Sequence, residues 1–105
     1  NGSLQMYWYG TSPAGYHSSP ASLIPLNQWT FVAVQWTSSQ ARLFVNGNQV
    51  AAVSVTGAGF DNTIINIGYQ DSGGREYRGS MDDFRIYNRA LTPQEINQLY
   101  QDGAR

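Results

Sequence analysis

A chain of 105 residues has room for one domain and one modest core. Its formal net charge is −1, and its six basic residues are all arginines scattered along the chain, which argues against a phosphate-tracking surface and against an anionic-membrane face. It has no cysteine for a disulfide framework and no apolar run near the length of a membrane span.

Aromatic residues make up 13% and charged residues only 12%, with Gly, Ser, Thr, Asn and Gln filling much of the rest. That balance fits an extracellular all-β module, with aromatic strands and uncharged polar loops. No signal peptide opens the sequence, and its abrupt start reads as an excised piece of a longer chain. Asn1-Gly2-Ser3 matches a glycosylation acceptor pattern, read as accidental at a terminus.

In chain order, SLQMYWY (3–9) alternates, with Leu4, Met6 and Trp8 on one face and Tyr7 and Tyr9 on the other, which predicts a strand. GTSPAGYHSSPAS (10–22) is rich in Gly, Pro and Ser and reads as a loop. WTFVAVQW (29–36) is β-branched and aromatic, a strand covered on both faces. TSSQ (37–40) is a turn. ARLFV (41–45) and QVAAVSV (49–55) flank Asn46-Gly47-Asn48, a strong short hairpin signal because both central turn residues need positive φ. TGAGFDN (56–62) is a loop, TIINIGY (63–69) a strand, QDSGGREYRG (70–79) a Gly-rich loop, and SMDDFRIY (80–87) the last strand.

A helix follows. Thr92 is its N-cap, Pro93 its first residue, and Glu95 completes a T-x-x-E capping box. Leu91 is placed to staple to Ile96. Ile96, Leu99 and Tyr100 form an i, i+3, i+4 stripe, and Gly103 fits a terminator. The helix carries no reactive constellation and reads as a plug over an edge or end of a sandwich.

IPLNQWTFVAVQW, RLFVNGNQVAA, INIGY and RGSMDDFRIYNRALTPQEINQLYQDG follow one another in this order over residues 24–103. The set resembles the laminin G-like, concanavalin A-like jelly-roll family. The closing block is its most specific part. The resemblance implies an all-β, concanavalin A-like antiparallel β-sandwich (jelly roll) with one short C-terminal helix. Two departures stand out. Phe31 sits where the family often has His. The family's earlier strands, with a Phe-Asp-Gly-type segment beside the closing strand, have no counterpart, so residues 1–105 read as the later two-thirds of a single such domain. The closing strand is then expected to lack a neighbour. A partner chain, a strand exchange or residues 3–9 would have to cover it, and a homo-oligomer is expected on that ground.

Asp82 shares a face with Phe84 and Ile86, and Asp83 shares the other with Met81, Arg85 and Tyr87. If Phe84 and Ile86 face the core, Asp82 sits at its rim and needs donors or a cation. The residues alone favour a carboxylate that accepts backbone N–H bonds. The resemblance brings forward a calcium site at Asp82 and Asp83, since many family members hold that ion, although ligands from the missing strands would be lacking.

Catalysis is not expected. Asp82 and Asp83 are adjacent and point to opposite faces of a strand, so they cannot flank a glycosidic bond. Glu76 lies in a loop, and Glu95 belongs to the helix cap. His17, the only histidine, sits beside Ser18 and Ser19 in a Ser-rich stretch with no activating motif.

The reading that follows is a secreted, non-catalytic carbohydrate-binding or adhesion module, with a glycan or protein ligand and no nucleic acid or membrane insertion. Aromatic rings would stack on sugars while amides and charges bond the hydroxyls. Candidate rings are Tyr7, Tyr9, Tyr16, Trp36, Tyr69 and Tyr77, with Asn62, Asp71 and Arg75 in neighbouring loops. Taken singly, Asn62 and Asp71 also fit ordinary turn residues. Trp8 and Trp29 are read as core. The alternatives are a structural or assembly module with no ligand of its own, and the remnant of a glycoside hydrolase sandwich.

Overall fold

The structure, a computed structural model, describes residues 2–8, 15–54 and 77–103. Its elements are β1 (Gln5–Trp8), β2 (Gly15–Ser18), β3 (Val32–Trp36), β4 (Gln40–Val45), β5 (Asn48–Ser54) and α1 (Pro93–Gly103). Among the described residues β1 and β2 form one antiparallel pair, and β3, β4 and β5 form a second antiparallel sheet in that order.

The β4–β5 hairpin forms for the reason its sequence suggests. Asn46 and Gly47 turn with φ of 49° and 81°, the left-handed pair that lets two strands return with their natural twist. Asn46 also fixes the entry to β3. Its N–H donates to the Phe31 carbonyl at 2.8 Å, and its Oδ1 accepts the Phe31 N–H at 3.1 Å. β4 is the central strand, and Ala41, Leu43, Phe44 and Val45 on it are all buried.

One face of this sheet is closed by the helix. Phe44, Leu91 and Ile96 form the core there, with Phe31, Ala33 and Leu99 packed around them. Leu91 and Ile96 are the two halves of the hydrophobic staple, and both are buried. The Phe31 and Tyr100 rings lie 5.8 Å apart at 50°. Gly47 lets the hairpin turn dock on α1. A Cβ there would stand 2.7 Å from the Asn97 amide and 3.0 Å from the Tyr100 ring. The buried Gln35 amide donates to the Leu91 carbonyl, so the chain entering the helix is tied to β3.

The helix start is capped from both directions. Thr92 Oγ1 accepts the Glu95 N–H at 3.1 Å, and Glu95 Oε1 accepts the Thr92 N–H at 3.0 Å. Arg89 grips the same carboxylate with both guanidinium nitrogens, at 2.9 and 2.5 Å. Arg89 and, behind it, the Thr92 N–H hold the Glu95 carboxyl well below its usual range, at about 2.

The β1–β2 pair is closed by Ser19. Its N–H donates to the Leu4 carbonyl at 2.8 Å, and its Oγ accepts the Leu4 N–H at 2.9 Å.

Four sequence expectations change. Residues 10–22, read as loop, contain β2: pairing with β1 outweighs the local Gly, Pro and Ser signal. The strand expected at 29–36 begins at Val32 and is covered on one face only. Ala33 and Gln35 turn toward the helix, whereas Val32 and Val34 remain 45% and 37% exposed. Trp29, read as core, precedes the ladder and is half exposed. Among the described residues, 80–87, read as the last strand, join no β-ladder. Phe84 and Ile86, expected to face the core, are exposed, and Asp82 therefore does not sit at a core rim. An alternating pattern gives a strand two faces but does not give it a neighbour. The loop at 56–62 and the strand at 63–69 lie outside the described residues.

Candidate functional site

The sequence-predicted binding residues fall into three groups. Tyr9, Asn62, Tyr69, Asp71 and Arg75 lie outside the described residues. Tyr7 and Tyr16 are placed by their backbone, and the register sets them directly opposite each other on β1 and β2. Cross-strand partners share a face of a sheet, so the ladder brings two of the predicted aromatic positions to one place. Trp36 ends β3 and is half-buried.

Tyr77 is described in full and is 55% exposed. Its hydroxyl donates to the Ser80 carbonyl at 3.2 Å. The ring end lies across Gly79, where a Cβ would meet its hydroxyl and ring carbons at 2.9–3.2 Å. A glycine at 79 therefore lets an aromatic ring rest on the backbone while more than half of the residue stays in solvent.

Asp82 and Asp83 are both exposed. Asp82 Oδ1 accepts the Asp83 N–H at 2.8 Å, and Asp83 has a φ of 55°. The carboxylate thus stabilises a local bend, a left-handed position that Asp tolerates better than most residues. Calcium takes six to eight oxygen ligands. Among the described residues no group of three His, Asp or Glu side chains gathers to hold a metal. Two adjacent carboxylates supply only part of such a shell, so a calcium site here needs donors beyond the described acidic residues. Nearby, Tyr87 and, more weakly, Asp83 raise the Arg85 guanidinium pKa above its ordinary value.

His17, expected in a surface loop, lies on β2 and is half-buried. Its Nε2 is buried without a hydrogen-bond partner. It lines an open groove of about 280 Å³ together with Ser18 and the sheet residues Ala41, Leu43, Ala51 and Val53. Leu43 and Phe44 thus serve opposite faces of β4, the groove and the helix core. The signal available in sequence was Tyr16-His17-Ser18, a β-compatible run hidden among loop formers. Glu95, bound by Arg89 and Thr92, is held as a carboxylate and has no proton to give near neutral pH.

Comparison with known families places this geometry. The laminin G family model described as the concanavalin A-like lectin/glucanases superfamily matches residues 1–97. The match begins earlier than the motifs over 24–103 and ends inside α1. No curated protein matches the chain. A solved structure is similar over 93% of this chain and 50% of its own, with a TM-score of 0.64 and 24% identity. It is an S-layer domain-containing protein (residues 221–444) from Clostridium thermocellum ATCC 27405. The chain thus spans half the length of that solved relative, and the likeness is one of fold.

Proposed function

Because the chain belongs to the concanavalin A-like lectin/glucanases superfamily, we propose that it is a non-catalytic carbohydrate-binding or adhesion module that works outside the cell. The observation that carries this reading is Tyr77. A ring laid over Gly79, tethered to the Ser80 carbonyl and more than half exposed is a pre-formed platform for the apolar face of a sugar. Little side-chain freedom is left to lose on binding. The opposition of Tyr7 and Tyr16 on β1 and β2 offers a second aromatic position. The chain's mix of aromatic and uncharged polar residues suits hydroxyl-rich, uncharged ligands. Likeness to an S-layer domain-containing protein supports a cell-surface setting.

A hydrolase reading has less support. Glu95 is committed to the helix cap and to Arg89, and Asp82 and Asp83 are neighbours rather than a facing pair. An assembly role is the second reading, favoured by the exposed apolar residues of the closing segment.

A glycan array probed with wild-type chain and with Tyr77→Ala, in calcium and in chelator, tests the proposal. Wild type is expected to bind a defined glycan set, and Tyr77→Ala to weaken it about tenfold without loss of fold. Binding that vanishes in chelator supports calcium at Asp82 and Asp83, and binding that survives removes the metal from the account. A blank array with folded protein in both conditions sinks the lectin reading and leaves assembly.

A further inference from the structure

Asn46-Gly47 makes the β4–β5 turn, and it is also a step at which a polypeptide attacks itself. The asparagine side chain carries a carbonyl carbon two bonds from the backbone, and the glycine that follows puts no side chain in the way. In the reaction a base from solvent takes the Gly47 N–H proton, and the nitrogen bonds to Asn46 Cγ. The Cγ–Nδ2 bond breaks, and Nδ2 takes up a proton and departs as ammonia. Water then adds to one carbonyl of the five-membered imide and opens it. Opening at the side-chain carbonyl leaves aspartate. Opening at the main-chain carbonyl leaves isoaspartate, whose main chain is one carbon longer. No electron is gained or lost.

We propose that Asn46 is a self-modification site that the docked turn holds shut, and that lifting the turn from α1 opens it in one direction only. Three features hold it shut. The φ of 49° at Asn46 belongs to the left-handed region, where ψ is about +47° and the next nitrogen lies nearly trans to Cβ. Ring closure needs the two nearly eclipsed. The Asn46 amide oxygen is pinned by the Phe31 N–H at 3.1 Å, and the Asn46 N–H donates to the Phe31 carbonyl at 2.8 Å. Gly47 is buried, which limits the approach of base to its N–H. It sits against α1, where Asn97 donates to its carbonyl at 3.5 Å and the Tyr100 ring covers it. All three features depend on the seating of the turn against β3 and α1, so they fail together when the turn lifts. The return is then barred. An extra main-chain carbon in a two-residue turn displaces the Val45–Asn48 pair and moves Gly47 off its seat on the helix. This inference is independent of glycan binding.

Ageing the full chain at mildly alkaline pH, in buffer and in denaturing urea, tests it. Mass spectrometry of the tryptic peptide from Leu43 to Arg75 reads the exchange of ammonia for water, and fragment ions distinguish isoaspartate from aspartate. The other Asn-Gly step, Asn1-Gly2, falls in a different tryptic peptide. The peptide is expected to convert steadily in urea and at least about a hundredfold more slowly in buffer, because a turn seated in the core opens rarely. Tyr100→Ala uncovers Gly47 while keeping Asn46 and Gly47, and should speed conversion in buffer about tenfold. Sub-denaturing urea should speed it in wild type as well, which keeps the test decisive if Tyr100→Ala does not fold. The isoaspartyl chain, separated after ageing, should unfold at a lower urea concentration than the unmodified chain. Equal rates in buffer and in denaturing urea overturn the inference, and so does a wild-type rate that stays flat across sub-denaturing urea. A folded Tyr100→Ala chain no faster than wild type, or an isoaspartyl chain as stable as the original, overturns it too.

Discussion

The helix and the closing segment lie side by side in the sequence, and both are amphipathic, yet only the helix buries its apolar face. Residues 93–103 form α1 with Ile96 almost fully buried, while residues 81–87 join no ladder among the described residues and leave Phe84 and Ile86 half in solvent. A helix satisfies its backbone within one segment, and its ends need only short caps. Here Thr92, Glu95 and Arg89 supply the N-terminal one. A strand needs a second strand, which local sequence cannot supply. The difference teaches that burial in this chain follows the availability of partners rather than the strength of the apolar pattern.

The largest expected effect breaks the closed side. Phe44→Ala removes the side chain shared by β4 and α1 and should cost about 4 kcal/mol. For a domain of this size that is a large share of total stability. Urea unfolding followed by far-UV circular dichroism measures it. Phe84→Ala on the open side should leave the monomer's stability nearly unchanged, and an equal loss at both positions would erase the contrast. Gly47→Ala is expected to cost about 2 kcal/mol, because a Cβ is disfavoured at a φ of 81° and also crowds Asn97 and Tyr100. The same unfolding experiment reads it.

The smallest effect is electrostatic. The folded-state pKa of Glu95 is depressed from 4.5 to about 2, so its contribution is complete above the unfolded value and is lost as pH falls from near 4.5 through about 2. Its partner Arg89 is exposed, so added salt should shrink the contribution. Glu95→Gln should flatten this part of the stability–pH curve, as thermal melts across the acid range would show.

The parts of the fold legible in sequence were those whose signals are complete within a few residues. Asn46-Gly47 fixes its turn by backbone conformation alone, and Thr92, Pro93 and Glu95 mark the start of α1. The misread parts depend on distant residues. β2 exists because β1 pairs with it. β3 is open on one face because nothing among the described residues covers Val32 and Val34, and Trp29 is exposed because the ladder starts three residues later. The family was legible because four motifs in a fixed order are a long-range signal. The site was less legible. The value of Tyr77 comes from Gly79 beneath it and Ser80 beside it, while the buried Nε2 of His17 comes from a strand that loop-forming neighbours concealed.

Hydrogen exchange read residue by residue, on chain dilute enough to be monomeric, tests the central contrast most directly. The amides of β4 and of α1 beyond its first turn should be protected, while those of residues 84–87 should exchange at rates near those of an unstructured peptide. Protection of 84–87 equal to that of β4 in the monomer would contradict the account, because the closing segment would then already have its partner within the chain.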